Sequence, residues 1–164
     1  MHEPLRYPEL DVDCTSLELQ VIDERPLPRD VSVKQLQWPA DFRSTAQARL
    51  ATLVAGRGAA VQVVVSVVNA DEIEVVDARG EMTRIVVKLA QEVKVSGGPV
   101  LSRTETQSSS DIPRQEATPE EIEFVLQATA RNAFDRRWAD PANIQALNGE
   151  LSAYAKKRES TAAP

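Results

Sequence analysis

Three serines beside an acid, Ser108-Ser109-Ser110-Asp111, come nearest to a hydrolytic nucleophile in this chain. A serine attacks only when a base is held within hydrogen-bond reach of it. The one histidine is His2 and no lysine has an evident base role, so the triplet reads as a solvated loop. Asp71, Glu72, Glu74 and Asp77 could offer oxygen ligands to a hard cation. Such sites draw carboxylates together through a tight loop; these run along a strand-like segment and read as its water-facing side. Cys14 is the one cysteine, so it makes no disulfide within the chain. No neighbouring cation favours its thiolate, and a structural role is expected. There is no glycine-rich phosphate loop. The expectation is a protein without catalytic residues, metal or cofactor.

Arg131, Arg136 and Arg137 form the densest basic cluster, with Lys156-Lys157-Arg158 behind them. They could meet lipid phosphates or a partner's acidic patch; otherwise they are a charged helix face paired with Asp135 and Asp140. Trp38 and Trp138 read as packing against helix ends. In Val21-Ile22-Asp23-Glu24-Arg25-Pro26 the aspartate can fix the turn through a backbone bond while the arginine braces the loop, a structural role.

These residues must be carried by a single domain of 164 residues, 42% hydrophobic and 27% charged, which is ordinary for a soluble globular protein. Aromatic residues are only 4%, so aliphatic side chains must fill the interior. A net charge of −6 argues against nucleic acid as a partner, since phosphate binding needs clustered Lys and Arg. No apolar run reaches the roughly 18–20 residues of a membrane-spanning helix. The opening MHEPLRYPEL has neither the basic start nor the apolar stretch of a secretory signal. Either the chain is cytosolic or a leader has been removed.

Residues 1–14 read as an extended lead-in, 15–155 as one domain and 156–164 as a charged flexible tail. Leu17, Leu19 and Val21 alternate with polar residues, the period of a half-buried strand. Leu27–Pro39 is loop-like. Phe42, Ala46, Leu50, Leu53 and Val54 share one face of a helix over about 41–55, stopped by Gly56 and Gly58. Val61–Val76 and Met82–Val95 are long strands apolar on one face, joined by a turn at Asp77-Ala78-Arg79-Gly80. Asn69 and Asp71 interrupt the first of them, which suggests a bulge or bend. Val100–Ser108 is a polar edge strand in which Arg103, Glu105 and Gln107 alternate with hydroxyl residues. A linker over Ser108–Ala117 leads to a helix capped by Thr118-Pro119-Glu120-Glu121, and Asp140-Pro141 starts another. The result is an α+β fold in the order β-α-β-β-β-α-α. Its sheet has about four mainly antiparallel strands with helices on one face, and the helix joining the first pair allows that pair to be parallel.

With Val21-Ile22-Asp23-Glu24-Arg25, the helix closing at Leu53-Val54-Ala55-Gly56, the two long strands and the C-terminal run Phe134–Trp138, Asp140, Ile144–Leu147, the chain resembles the YajG-type family of bacterial outer-membrane lipoproteins. LPS-assembly and ABC-transporter auxiliary lipoproteins are similar in broad layout. The resemblance implies a periplasmic domain tethered to the outer membrane by an acylated cysteine, with no catalytic residues. Cys14 lacks the surroundings of a lipidation site, so the anchor would belong outside this chain. The expected function is a binding or assembly accessory, taking an envelope protein or a lipid-like ligand. Candidate contacts are Arg103, Glu105, Gln107, Arg131, Arg136 and Arg137, and the working surface is an edge such as Val100–Ser108 or the groove between sheet and helices. A cytosolic, protein-binding adaptor or chaperone-like subunit is the alternative.

Overall fold

The computed structural model describes residues 11–27 and 32–162. His2, Val31 and most of the lead-in lie outside the described residues. In chain order the elements are β1 (Val12–Ile22), β2 (Val33–Gln35), α1 (Phe42–Ala51), β3 (Val54–Asp77), β4 (Gly80–Val95), β5 (Val100–Pro113), a 3-10 turn (Arg114–Glu116), α2 (Pro119–Trp138) and α3 (Pro141–Ala162). The fold is α+β. The sheet runs β1-β3-β4-β5, with the short β2 lying beside the far end of β3. β1 is parallel to β3, and every other pair is antiparallel.

Alternation builds the centre as the sequence suggests. Val61, Val63, Val65 and Val67 of β3 stand opposite Val95, Val93, Gln91 and Leu89 of β4 on the helix side. Val63, Val87 and Leu126 share one interior, at 0%, 0% and 3% exposure. Scarce aromatics are concentrated there: Trp38, Phe42, Phe134 and Trp138 form a run of rings with centroids 4.8, 5.9 and 6.1 Å apart. Thr118 caps α2 by accepting from the Glu121 amide at 3.2 Å, and Asp140 accepts from the Ala142 amide at 3.0 Å. These directional bonds satisfy amides that the first helical turn leaves without partners.

Five local expectations change. α1 ends at Ala51, and Gly56 and Gly58 lie inside the first stretch of β3 with φ of +86° and +94°. They shape the irregular pairing with β1, and a Cβ on Gly58 would come within 2.9 Å of the Asp13 carbonyl oxygen. β1 begins at Val12, inside the expected lead-in, and α3 continues through the expected tail. The expected linker from Ser108 is strand as far as Pro113, because β4 is long enough to pair with all of it.

The fifth change follows from a bulge between Val67 and Asn69. It reverses the faces of β3: Ala70 and Glu72 oppose Val87 and Ile85 on the helix side, while Ile73 and Val75 oppose Arg84 and Met82 on the other. Glu72 is therefore largely covered, 16% exposed and 3.8 Å from Lys34, and is not on the water-facing side.

The chain leaves the side of β3 at Ile22, opposite Ser66, returns at Val33, opposite Ile73, and runs back to Gln35, opposite Asp71, which leaves a break between Ser66 and Asp71. Arg25 fills the break. Its Nε and Nη2 donate to the Asp23 carboxylate at 2.7 and 3.1 Å, Nη1 to the Ala70 carbonyl at 3.2 Å and Nη2 to the Leu36 carbonyl at 2.9 Å. The side chain is 7% exposed. The Arg25 hydrogen bonds hold Asp23 below the ordinary carboxylate range. Replacing Arg25 with Met removes all four bonds; the Ala70 carbonyl keeps the Leu36 amide at 2.8 Å while the Leu36 carbonyl loses its Arg25 donor, so Arg25→Met is expected to lower unfolding free energy by about 2–3 kcal/mol. Urea titration followed by circular dichroism checks this, and an unchanged midpoint would contradict the bracing role.

Candidate functional site

β5 is the strand on which the candidate residues concentrate, and its two faces do different work. Ser102, Thr104, Thr106, Ser108 and Ser110 alternate toward the helices. Thr129 Oγ1 donates to the Val125 carbonyl at 2.7 Å, so at the 2.8 Å contact with Ser110 it is the serine that donates. Gln91, 0% exposed, donates to Thr106 Oγ1 at 2.9 Å and accepts from Trp138 Nε1 at 2.9 Å. Arg137 donates to Thr104 and, at 2.5 Å, to Ser102, with its guanidinium 5.4 Å from the Trp138 ring centre.

Arg137 is therefore turned inward, 4% exposed, and burial lowers its pKa. Arg131 and Arg136 are exposed on α2. Arg103, Glu105 and Gln107 occupy the opposite face of β5, away from the helices. Glu105 lies 3.4 Å from Lys88 and 3.6 Å from Arg103. The sheet thus separates the two sets of candidate residues.

The sheet's two borders differ chemically. Along β1, Gln47 of α1 behaves as a piece of neighbouring strand: its Nε2 donates to the Leu17 carbonyl and its Oε1 accepts from the Leu19 amide, both at 2.8 Å. Asn148 of α3 does the same further back, accepting from the Asp13 amide at 2.8 Å and donating to the Asp11 carbonyl at 2.9 Å. A groove of about 860 Å³ follows this border from Thr15 to Val21, with Gln47 in its wall. No strand among the described residues pairs along the outer side of β5. Nothing in the sequence singles out Gln47 or Asn148, since a carboxamide on a helix normally reads as solvated.

No family model matches the sequence, and no curated protein matches it. Among solved structures the chain is similar to a "putative lipoprotein" from Caulobacter crescentus CB15, at 11% identity over 88% of this chain and 93% of that one, with a TM-score of 0.47. It is also similar to a minor lipoprotein from Acinetobacter baumannii, at 12% identity over 89% of this chain and 95% of that one, with a TM-score of 0.42. Likeness at this level transfers neither family nor activity. The YajG-type resemblance rests on the sequence pattern.

The remaining chemical candidates fall into place. Ser108 and Ser110 point inward and Ser109 outward, so the triplet is strand and not a solvated loop. Asp111 receives Arg84 Nε at 2.8 Å and also contacts Arg79, which ties β5 to β4 and to the β3–β4 turn. Cys14 is fully buried, and burial pushes its thiol up to about 11, which makes it inert and leaves no room for an acyl chain. Asp135 is half-buried and raised by burial, against the opposing charges of Arg49 and Arg131. Between the central strands and the helices the space is filled by Val63, Val65, Val87 and Leu89, each 0% exposed, and the groove that remains between sheet and helix is the one along β1 and α1. A concavity of about 670 Å³ lies at the rim, between Arg57 and Tyr154. No helix of the described residues is long and apolar enough to cross a membrane.

Two measurements test this arrangement. Hydrogen bonding from Arg84, then from Arg79, lowers the Asp111 pKa to about 2. Its contribution is present above the ordinary carboxylate pKa and is lost as pH falls through about 2. Wild type should therefore exceed Asp111→Asn by roughly 1 kcal/mol at neutral pH after solvent screening, with the gap closing on acidification. A gap independent of pH would contradict this assignment. The double variant Gln47→Leu, Asn148→Leu should keep its native circular dichroism while light scattering reports concentration-dependent assemblies longer than those of wild type. Unchanged scattering would mean that the carboxamides do not guard the border.

Proposed function

We propose that this protein is a non-enzymatic binding or assembly accessory of the bacterial envelope, a lipoprotein-type domain on the periplasmic side of the outer membrane. It acts by accepting an extended segment of a protein partner along β5. The lipid anchor lies outside this chain, and nucleic acid is not a partner. The observation that carries the reading is the contrast between the borders: backbone groups of β1 are occupied by Gln47 and Asn148, whereas β5 has no neighbouring strand among the described residues. Strand addition takes its affinity from the backbone groups of such a border and its specificity from alternating side chains. Here those side chains are Arg103, Glu105 and Gln107 on one face. The Val21-x-Asp23-x-Arg25 pattern supports the envelope placement.

A proline scan over residues 103–108 tests the mode of binding. At positions whose amide points outward, proline removes only the donor a partner would use, so the fold survives and partner capture from solubilised envelopes is lost. Capture undiminished in every folded variant would end the strand-addition reading. Capture from cytosolic extract alone would overturn the envelope placement.

A further inference from the structure

We infer that the segment received by β5 is the β5 of a second copy of this chain, giving a two-fold dimer with one continuous sheet. The inference rests on the strand-addition reading and names its partner. An antiparallel pair of identical strands has a centre of symmetry at one residue, and placing it at Thr104 sets Arg103 opposite Glu105 of the second copy, and Glu105 opposite its Arg103. Directly opposed unlike charges favour a register, while like charges oppose it. The same register sets Ser102 opposite Thr106, and Leu101 opposite Gln107. Charges on a border usually prevent self-pairing. On β5 their signs alternate at the spacing that makes the strand complementary to itself.

Two further features favour a closed pair. The first is the guarded border of β1. A head-to-tail association would join β5 of one copy to β1 of the next and continue without limit. Gln47 and Asn148 already occupy four of the backbone groups that such a joint would use, the Leu19 and Asp13 amides and the Leu17 and Asp11 carbonyls. That hinders the open-ended joint and favours the isologous one, β5 to β5. The second feature is the position of α2, which packs on both β4 and β5. Adding one strand at each side of the joint places the two α2 helices roughly 10 Å apart, a distance at which helices pack rather than collide.

Sedimentation equilibrium on the full chain, over a wide concentration range, tests the inference with charge variants of exposed residues. Wild type is expected to form dimers. Arg103→Glu and Glu105→Arg each set like charges opposite one another twice and should weaken dimerisation about tenfold or more. The double variant R103E/E105R exchanges the pattern and should return the dissociation constant to within about threefold of wild type. Circular dichroism confirms that each variant is folded. A wild type that stays monomeric, or single variants that dimerise as wild type does, overturns the inference. If that monomer still loses envelope capture under the proline scan, only the second-copy assignment fails; if capture also survives the scan, strand addition fails with it.

Discussion

The guanidinium of Arg25 holds open the one place where the sheet has no strand to offer. β3 must be lined first by β1 and then by β2, and between them the chain departs and comes back. Two carbonyls, of Ala70 and Leu36, meet there, beside the bulge at Val67–Asn69. A planar donor fork tied to Asp23 reaches both at once, adding a second donor to the Ala70 carbonyl that the Leu36 amide already meets, which a lysine ammonium could not do with the same geometry. Because β3 also carries β4, the position of every later strand depends on how this gap is closed.

A second set of directional contacts orients the helices. Val and Leu packing can tolerate a helix sliding by a fraction of a turn, whereas hydrogen bonds cannot. Gln91 joins β4, β5 and the Trp138 indole, and Thr129 and Arg137 take hydroxyls from β5 at two further heights. The polar composition of β5 is therefore partly internal machinery. Only its alternate residues, beginning with Arg103, remain to face outward.

The strands with strict alternation and the helix begun by Thr118-Pro119 were legible because one physical rule governed each. The bracing role of Arg25 was legible too, although the sequence pointed to a backbone bond for Asp23 and the structure gives its carboxylate the Arg25 guanidinium. Legibility failed where a residue answers to something distant. Gly56 and Gly58 look like a helix stop, but both lie in β3 at positive φ, and at Gly58 the Asp13 backbone approaching across the sheet leaves no room for a Cβ. Ser108–Ser110 lack aliphatic character and read as linker, yet the length of β4 recruits them. Arg137 belongs by sequence to a basic surface cluster, and only the hydroxyls of Ser102 and Thr104 explain its burial. Gln47 and Asn148 carry no local mark at all, because their partners are backbone atoms of a strand roughly 30 and 135 positions away.

The bulge in β3 has a consequence for how this molecule tolerates change in length. Upstream of it odd-numbered side chains face the helices; downstream even-numbered ones do, and of these Ala70 and Glu72 are covered while Glu74 and Val76 are exposed. The extra residue is thus a phase marker, and the turn at Asp77–Gly80 lies on the inverted side of it. Loss of one residue between Val67 and Ala70 would turn Ile73 toward the helices and the covered Glu72 outward, a pattern more conventional in its burial. It would also misalign Asp71 with Gln35 and uncouple Ala70 from Arg25. The chain keeps an unorthodox arrangement of charge at this end because the brace beside it has only one register in which to fit.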